Sequence, residues 1–284
     1  MFKNIISVED LEGRLGEKDW LVIDARFDLA NPSAGHEAYL QAHIPGAIYA
    51  HLDDDLSGPK SAMTGRHPLP SASAFRDTLT RWGVNPRKQI VVYDAVGGAF
   101  AARLWWMLRA IGHERAAVLE GGFPAWQAAD LPTVTGDEEP PRTRKPYPEF
   151  EFNRDMFVST SDVGDIRNDP AWRLLDARSP ERFRGEVEPI DPVAGHIPGA
   201  VNRFHGLNLD PEGRLQAKEK LQADFAKLLE GVQPDHVVVY CGSGVTSAHH
   251  ILVMDAAGLP MPKLYIGSWS EWIRDPQRPV AKDT

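Results

Sequence analysis

The sequence predicts an α/β protein of two tandem domains, each a mostly parallel sheet with helices on both faces. Three observations carry this. Four segments of the first half recur in order in the second. Leu21-Val22-Ile23-Asp24-Ala25-Arg26 returns as Arg173-Leu174-Leu175-Asp176-Ala177-Arg178, and His43-Ile44-Pro45-Gly46-Ala47 as His196-Ile197-Pro198-Gly199-Ala200. Ile90-Val91-Val92-Tyr93-Asp94 returns as Val237-Val238-Val239-Tyr240-Cys241, and Gly121-Gly122-Phe123-Pro124-Ala125-Trp126 loosely as Gly267-Ser268-Trp269-Ser270-Glu271-Trp272. The offsets are 152 (176 − 24), 153 (196 − 43), 147 (241 − 94) and 146 (267 − 121), too long for a solenoid period, so each half is one copy of a domain. The second observation is that short apolar runs alternate with helically periodic segments, the pattern of parallel strands joined by crossovers. The third is size: 284 residues, 42% hydrophobic, suffice for two ordinary cores.

Taken in order, Ser7-Val8-Glu9-Asp10 resembles a capping box opening a short helix through residue 15. Residues 21–24 are an apolar strand, and 34–42 a polar stretch leading into the His43-Ile44-Pro45-Gly46 turn. Residues 47–50 resume as strand. Phe75, Leu79 and Trp82 mark a helix over 73–82, stopped by Gly83. Residues 89–93 are strand, 99–111 a Leu- and Trp-rich helix stopped by Gly112, and 116–119 strand again. The first domain is thus 1–130. Residues 131–150 hold Pro132, Pro140, Pro141, Pro146 and Pro148 and read as an extended linker that wraps the domains. The second domain, 151–284, repeats the order. Its clearest amphipathic helix is 216–229, with Leu221, Phe225, Leu228 and Leu229 on one side.

Composition excludes several classes. No run of 18 apolar residues exists, so no transmembrane helix is expected, and Glu9 and Asp10 interrupt any secretory h-region. A net charge of -9 argues against nonspecific nucleic-acid binding. One cysteine permits no internal disulfide, and a free thiol fits a reducing, cytoplasmic setting. The scattered histidines and one cysteine fall short of a zinc set, so no metal is expected. The adjacent His249 and His250 lack the i, i+4 spacing of a metal pair and read as structural.

That cysteine, Cys241, ends a strand (Val237-Val238-Val239-Tyr240) and precedes Gly242-Ser243-Gly244-Val245-Thr246-Ser247 and a helix over 247–254. Backbone N–H groups at a helix start lack internal partners and favour an anion, and the thiolate is the reactive form of cysteine. Two glycines let the loop close round the sulfur. The alternative reading is a buried structural cysteine. A phosphatase would require arginine six residues on, and Ser247 stands there. In the first copy Asp94 replaces Cys241. A carboxylate cannot stand in for a thiol nucleophile, so that copy is expected to be silent in thiol chemistry, with Asp94 capping a helix.

Cys241-Gly242-Ser243-Gly244-Val245-Thr246 resembles the active loop of rhodanese-type sulfurtransferases, most of all their 3-mercaptopyruvate branch. Leu175-Asp176-Ala177-Arg178, Gly195-His196-Ile197-Pro198-Gly199-Ala200 and Gly267-Ser268-Trp269-Ser270-Glu271-Trp272 resemble other motifs of that family. The resemblance implies a cofactor-free transferase. Cys241 takes the outer sulfur of a small anionic donor as a persulfide and passes it to a thiol, cyanide or a thioredoxin-like protein. Covalent catalysis of this kind splits one difficult step into two. The resemblance implies that Ser243 polarises the donor and that Gly242, Gly244, Val245 and Thr246 shape the pocket. Thr246 either caps the helix or donates to the sulfur. Arg182, four residues after Arg178, matches the family's first substrate-binding arginine; Arg184 is left without a role. The second arginine, expected after Glu188-Pro189, is missing: Ile190-Asp191-Pro192 follows. His43 matches a histidine associated with Ser243, or else fixes the turn before Pro45 as His196 would. Trp269 and Trp272 are expected to pack. The uncharged loop favours 3-mercaptopyruvate over thiosulfate, because a dianion beside a thiolate needs cations. The alternatives are a thiosulfate:cyanide sulfurtransferase and a non-catalytic sulfur-carrier or regulatory module.

Overall fold

A computed structural model describes residues 1–140 and 145–283, so Pro141 of the expected linker lies outside the described residues. The elements run β1 (Ile5–Ile6), α1 (Val8–Glu12), β2 (Trp20–Asp24), α2 (Ala34–Gln41), β3 (Ile48–Tyr49), α3 (Ala72–Arg81), β4 (Gln89–Tyr93), α4 (Ala101–Ala110), β5 (Ala116–Leu119) and α5 (Gly122–Ala128). The set then repeats: β6 (Phe157–Val158), α6 (Thr160–Ile166), β7 (Arg173–Asp176), α7 (Pro180–Arg184), β8 (Val201–Asn202), α8 (Lys218–Leu228), β9 (Val237–Tyr240), α9 (Ala248–Ala256), β10 (Lys263–Tyr265) and α10 (Ser268–Trp272). No helix among the described residues is long and apolar enough to cross a membrane.

Two five-stranded sheets result, ordered β1-β5-β4-β2-β3 and β6-β10-β9-β7-β8, with every strand pair parallel. The second order is the first, element for element, as the repeat predicts. All five residues of β4 and all four of β9 are buried, so these central strands have both faces covered. On one face of the first sheet Val22, Val91, Tyr93, Ala117 and Leu119 pack against Val8, Leu11, Phe123 and Trp126. On one face of the second, Leu174, Val238, Tyr240 and Tyr265 pack with Val163, Ile197, Trp269 and Trp272.

The chain divides into two compact units. One comprises Met1–Gly58, Leu69–Phe152 and Pro211–Leu215; the other comprises Pro59–Pro68, Asn153–Asp210 and Gln216–Thr284. The polar stretch 34–42 forms helix α2. It buries only Gly35 and Tyr39 and gains no side-chain cap bond from Ser33, which is why its pattern is faint in the sequence. The described residues of the expected linker belong to the first unit and bond within it near both ends: Val134 pairs with His43, and Tyr147 Oη lies 3.0 Å from His113 Nδ1. The pairing of Ala281 with His196 is its counterpart at the end of the second copy.

Candidate active site

In the second sheet the chain moves outward from β7 to β8, returns to β9 and leaves the other way to β10. The crossovers diverge between β7 and β9, and the carboxyl ends of such a strand pair are where α/β sheets bind ligands. Arg178 lies two residues beyond β7 and Cys241 one beyond β9. The Arg178 guanidinium is buried on Asp176 (Nη2 to Oδ2, 2.7 Å), donates to the Gly195 carbonyl at 2.7 Å and lies over the Trp269 ring. Arg26 does the same in the first unit, on Asp24 and the Ala42 carbonyl. The repeated Asp-Ala-Arg motif therefore pins the turn that carries the next strand.

Cys241 is 2% exposed. Burial pushes its thiol pKa up, but donation from the hydroxyls of Ser247 and Thr246 and from the backbone N–H groups of Ser243 and Ser247 outweighs this. The net shift is downward, toward thiolate. Ser247 Oγ is 3.5 Å from Sγ. Ser247 occupies the N-cap of α9 without a side-chain cap bond, so its hydroxyl is free for the sulfur, and Thr246 serves the sulfur too. Gly244 has φ +73°, and a Cβ there would run into the Ile266 carbonyl, so only glycine fits this turn. The loop is held from behind. Cys241 N–H donates to Ser268 Oγ at 3.1 Å, Trp269 N–H to the Cys241 carbonyl at 3.1 Å and Ser270 N–H to the Gly242 carbonyl at 2.9 Å.

Ser243 is buried, and its Oγ lies 2.7 Å from Nδ1 of His67, itself 4% exposed. The Ser–His pair is thus made with His67. His43 is fully buried in the first unit, with Nδ1 2.8 Å from the Tyr39 carbonyl and its ring stacked on Tyr39. His196 repeats this arrangement with the Phe183 carbonyl and ring. Both histidines of the repeated motif sit in their own turns.

Arg182 donates to Glu188 (Nη2 to Oε1, 2.6 Å) and lies 3.4 Å from Asp191 Oδ2. Arg66 donates to the other oxygen of Asp191. A Cβ on Gly242 would lie 2.8 Å from Arg66 Nη2 and 3.6 Å from Arg182 Nη2. The residue after the thiol is therefore overhung by two guanidinium groups, and Gly242 leaves the gap. A second guanidinium thus stands at the loop, and it comes from a stretch of chain other than the Glu188-Pro189 segment. Val245 is 1% exposed. Arg184 pairs with Glu186 at the surface. His249 and His250 are buried beside Asn208, and the described residues hold no group of metal-binding side chains.

Arg66 and His67 lie in residues 59–68, which belong to the second unit although they follow β3 in the chain. Arg66 N–H donates to Ser270 Oγ at 3.0 Å, and Arg274 Nε to the Thr64 carbonyl at 3.1 Å, which fixes the segment there. The sequence reading did not include these two residues. A signal existed: the repeat offset falls from 153 to 147, placing six extra residues (153 − 147) in the first copy between the His-Ile-Pro-Gly turn and the central strand.

In the first unit Asp94 occupies the thiol's position. Its carboxylate accepts from the N–H groups of Val96, Gly98, Phe100 and Ala101 at 2.9, 2.9, 2.7 and 2.9 Å. Val96 and Phe100 stand two and six residues after Asp94, as Ser243 and Ser247 stand after Cys241. The anion cradle is the same; a fixed carboxylate fills it.

Comparison with known proteins fits this geometry. The rhodanese-like domain family matches the chain twice, over residues 7–129 and 159–275. A Pseudomonas aeruginosa protein named "Probable 3-mercaptopyruvate sulfurtransferase" is 45% identical over 280 residues, 98% of this chain and 97% of that one. A Mycobacterium tuberculosis protein, SseB, which carries a thiosulfate sulfurtransferase name, is 39% identical over 286 residues, 99% and 97% of the two chains. The solved structure of the 3-mercaptopyruvate sulfotransferase SseA from Escherichia coli superposes with a TM-score of 0.78 at 34% identity, covering 95% of this chain and 100% of that one. With two copies of the fold, one cysteine and full-length relatives of this kind, the chain belongs to the rhodanese-like family and is a sulfurtransferase of its two-domain type.

Proposed function

We propose that the protein transfers sulfur from 3-mercaptopyruvate, in preference to thiosulfate, through a persulfide on Cys241. The observation that carries this is the pairing of an uncharged thiol loop with Ser243–His67 on one side and Arg66 and Arg182 on the other. The donor carboxylate fits the guanidinium groups, and its ketone oxygen fits the Ser243 hydroxyl. The Cys241 thiolate attacks the donor sulfur. The S–S bond forms as the C–S bond breaks, and its electron pair leaves on carbon as the enolate of pyruvate. Ser243, hydrogen-bonded to His67, stabilises the enolate oxygen, and a proton then reaches carbon. The acceptor, a thiol, cyanide or a thioredoxin-like protein, attacks the outer sulfur and returns the thiolate. The Asp94 loop of the first copy takes no part in sulfur transfer, because Asp94 holds the nucleophile's place. A buried free thiol nucleophile suits the reducing cytoplasm.

The test is kcat/KM for the two donors at one pH with saturating acceptor, with Cys241→Ser as control. We expect 3-mercaptopyruvate to win by at least about tenfold, parallel lines in a two-substrate rate grid, and one added sulfur on Cys241 by mass spectrometry. Cys241→Ser should be folded and inactive. A tenfold advantage for thiosulfate would assign the protein to the thiosulfate:cyanide reaction. A single sulfur uptake without turnover would make it a carrier.

A further inference from the structure

Asp191 stands between two cations beside the thiol loop. One carboxylate oxygen takes Arg66, and the other lies 3.4 Å from Arg182 Nη2. Its side chain is 3% exposed, and a Cβ on Gly242 would lie 3.8 Å from Oδ2. The neighbouring charges are already matched: Arg182 also holds Glu188, and Arg178 holds Asp176 and Glu188. The guanidinium groups of Arg66, Arg178 and Arg182 thus face the carboxylates of Asp176, Glu188 and Asp191, one for one. Arg66 Nε is buried without a hydrogen-bond partner, so the cluster keeps an unused donor while having no net charge.

We propose that Asp191 filters donors by their charge: it cancels one of the two cations over Gly242, so that the pocket takes a monoanion and discriminates against a dianion. The inference rests on the donor site proposed above. An anion over Gly242 meets Arg66 and Arg182 together with the carboxylate they share, and the Cys241 thiolate lies beyond. Attraction to fixed charges grows in proportion to the donor's charge, whereas the cost of taking it from water grows as the square. With Glu188 and Asp191 together cancelling the cations, the second negative charge of thiosulfate gains less than it costs. A carboxylate such as that of 3-mercaptopyruvate costs less to take from water and can be held by the hydrogen-bond donors themselves, the unused Arg66 Nε among them. Asp191 is in this sense a selectivity residue and touches no reacting atom.

The test is Asp191→Asn, which keeps shape and removes charge. The ratio of kcat/KM for thiosulfate to that for 3-mercaptopyruvate should rise about tenfold, mostly through a lower KM for thiosulfate. Asp191→Glu should hold the ratio within about threefold of the starting protein, a rescue that packing alone would not give. Arg66→Gln, which leaves Asp191 in place, should move the ratio the other way and keeps the idea testable if Asp191→Asn fails to fold. Protection of Cys241 from alkylation reads binding without turnover. Sulfate should protect Asp191→Asn at about tenfold lower concentration, and the value for pyruvate should shift less. Equal changes for both donors, or a ratio and a sulfate midpoint within about twofold of the starting protein, would overturn the filter. If neither donor loads sulfur on Cys241 but sulfate protection still tightens in Asp191→Asn, the sulfur-donor reading fails and the charge filter stands.

Discussion

Ser247 shows how one side chain sets the chemistry of another. Burial alone would make Cys241 an inert thiol, and the donors converging on it turn the balance. The Ser247 hydroxyl makes no helix-cap bond, so removing it costs the helix little. We expect Ser247→Ala to raise the Cys241 pKa and shift the acid limb of persulfide formation to higher pH, read from alkylation rate against pH. A linked stability effect follows. The folded thiol titrates below its unfolded value, so its contribution is full above the unfolded pKa and is lost as pH falls through the folded one. The stability gap between the protein and Cys241→Ser should therefore widen toward alkaline pH. At this scale the sequence showed the cysteine and its loop, because strand, cysteine and glycines are contiguous. It did not reveal His67 or Arg66, whose partners Ser243 and Asp191 are 176 and 125 residues away. For His43 the repeat itself was informative: a histidine present in both copies, buried identically on Tyr39 and Phe183, serves the turn common to both.

The strand-loop-helix element is the unit that the duplication preserved, and Asp94 explains how it survives without a thiol. Four N–H donors converging on one buried position need an acceptor, and the carboxylate of Asp94 supplies one permanently. Asp94→Ala should lower stability by about 3–5 kcal/mol, seen in denaturant or thermal melts, since the orphaned donors lose their partner. Sulfur transfer by the folded variant should stay within about threefold. The element after β10 differs between copies in one informative place. Gly122 has φ +59° in the first unit, and Ser268 has φ +53° at the matching position in the second. A serine is tolerated in that strained region because its hydroxyl receives the Cys241 N–H and donates to the Tyr265 carbonyl at 2.8 Å. Strands and long helices were legible from periodicity. Helix α2 was not, since it buries two residues and presents no cap.

Across the whole molecule, the copies are equal in topology and unequal in what they hold. The loop between β3 and α3 spans residues 50–71, whereas its counterpart between β8 and α8 spans 203–217, and the longer one carries Arg66 and His67 into the cysteine's unit. The second copy alone therefore lacks two of the side chains that border its own cysteine loop. The consequence can be tested in the full chain by replacing residues 59–68 with a Gly-Ser segment of equal length. Gly58 and Leu69 still join, Asp94 and Cys241 keep their cradles, and neither sheet loses a strand. Thermal melts should show a loss from the Arg66–Asp191 pair and the His67–Ser243 bond, while the backbone bonds of the segment, Arg66 N–H to Ser270 and Arg274 to the Thr64 carbonyl, can still form. Cys241 should still alkylate. Turnover of 3-mercaptopyruvate should fall by roughly 10³-fold, since both the carboxylate anchor from Arg66 and the Ser243–His67 pair are gone. Restoring only Arg and His at 66 and 67 should recover part of kcat/KM. Full activity in the replaced chain would mean that the second copy catalyses on its own residues, and the roles given to Arg66 and His67 would fall.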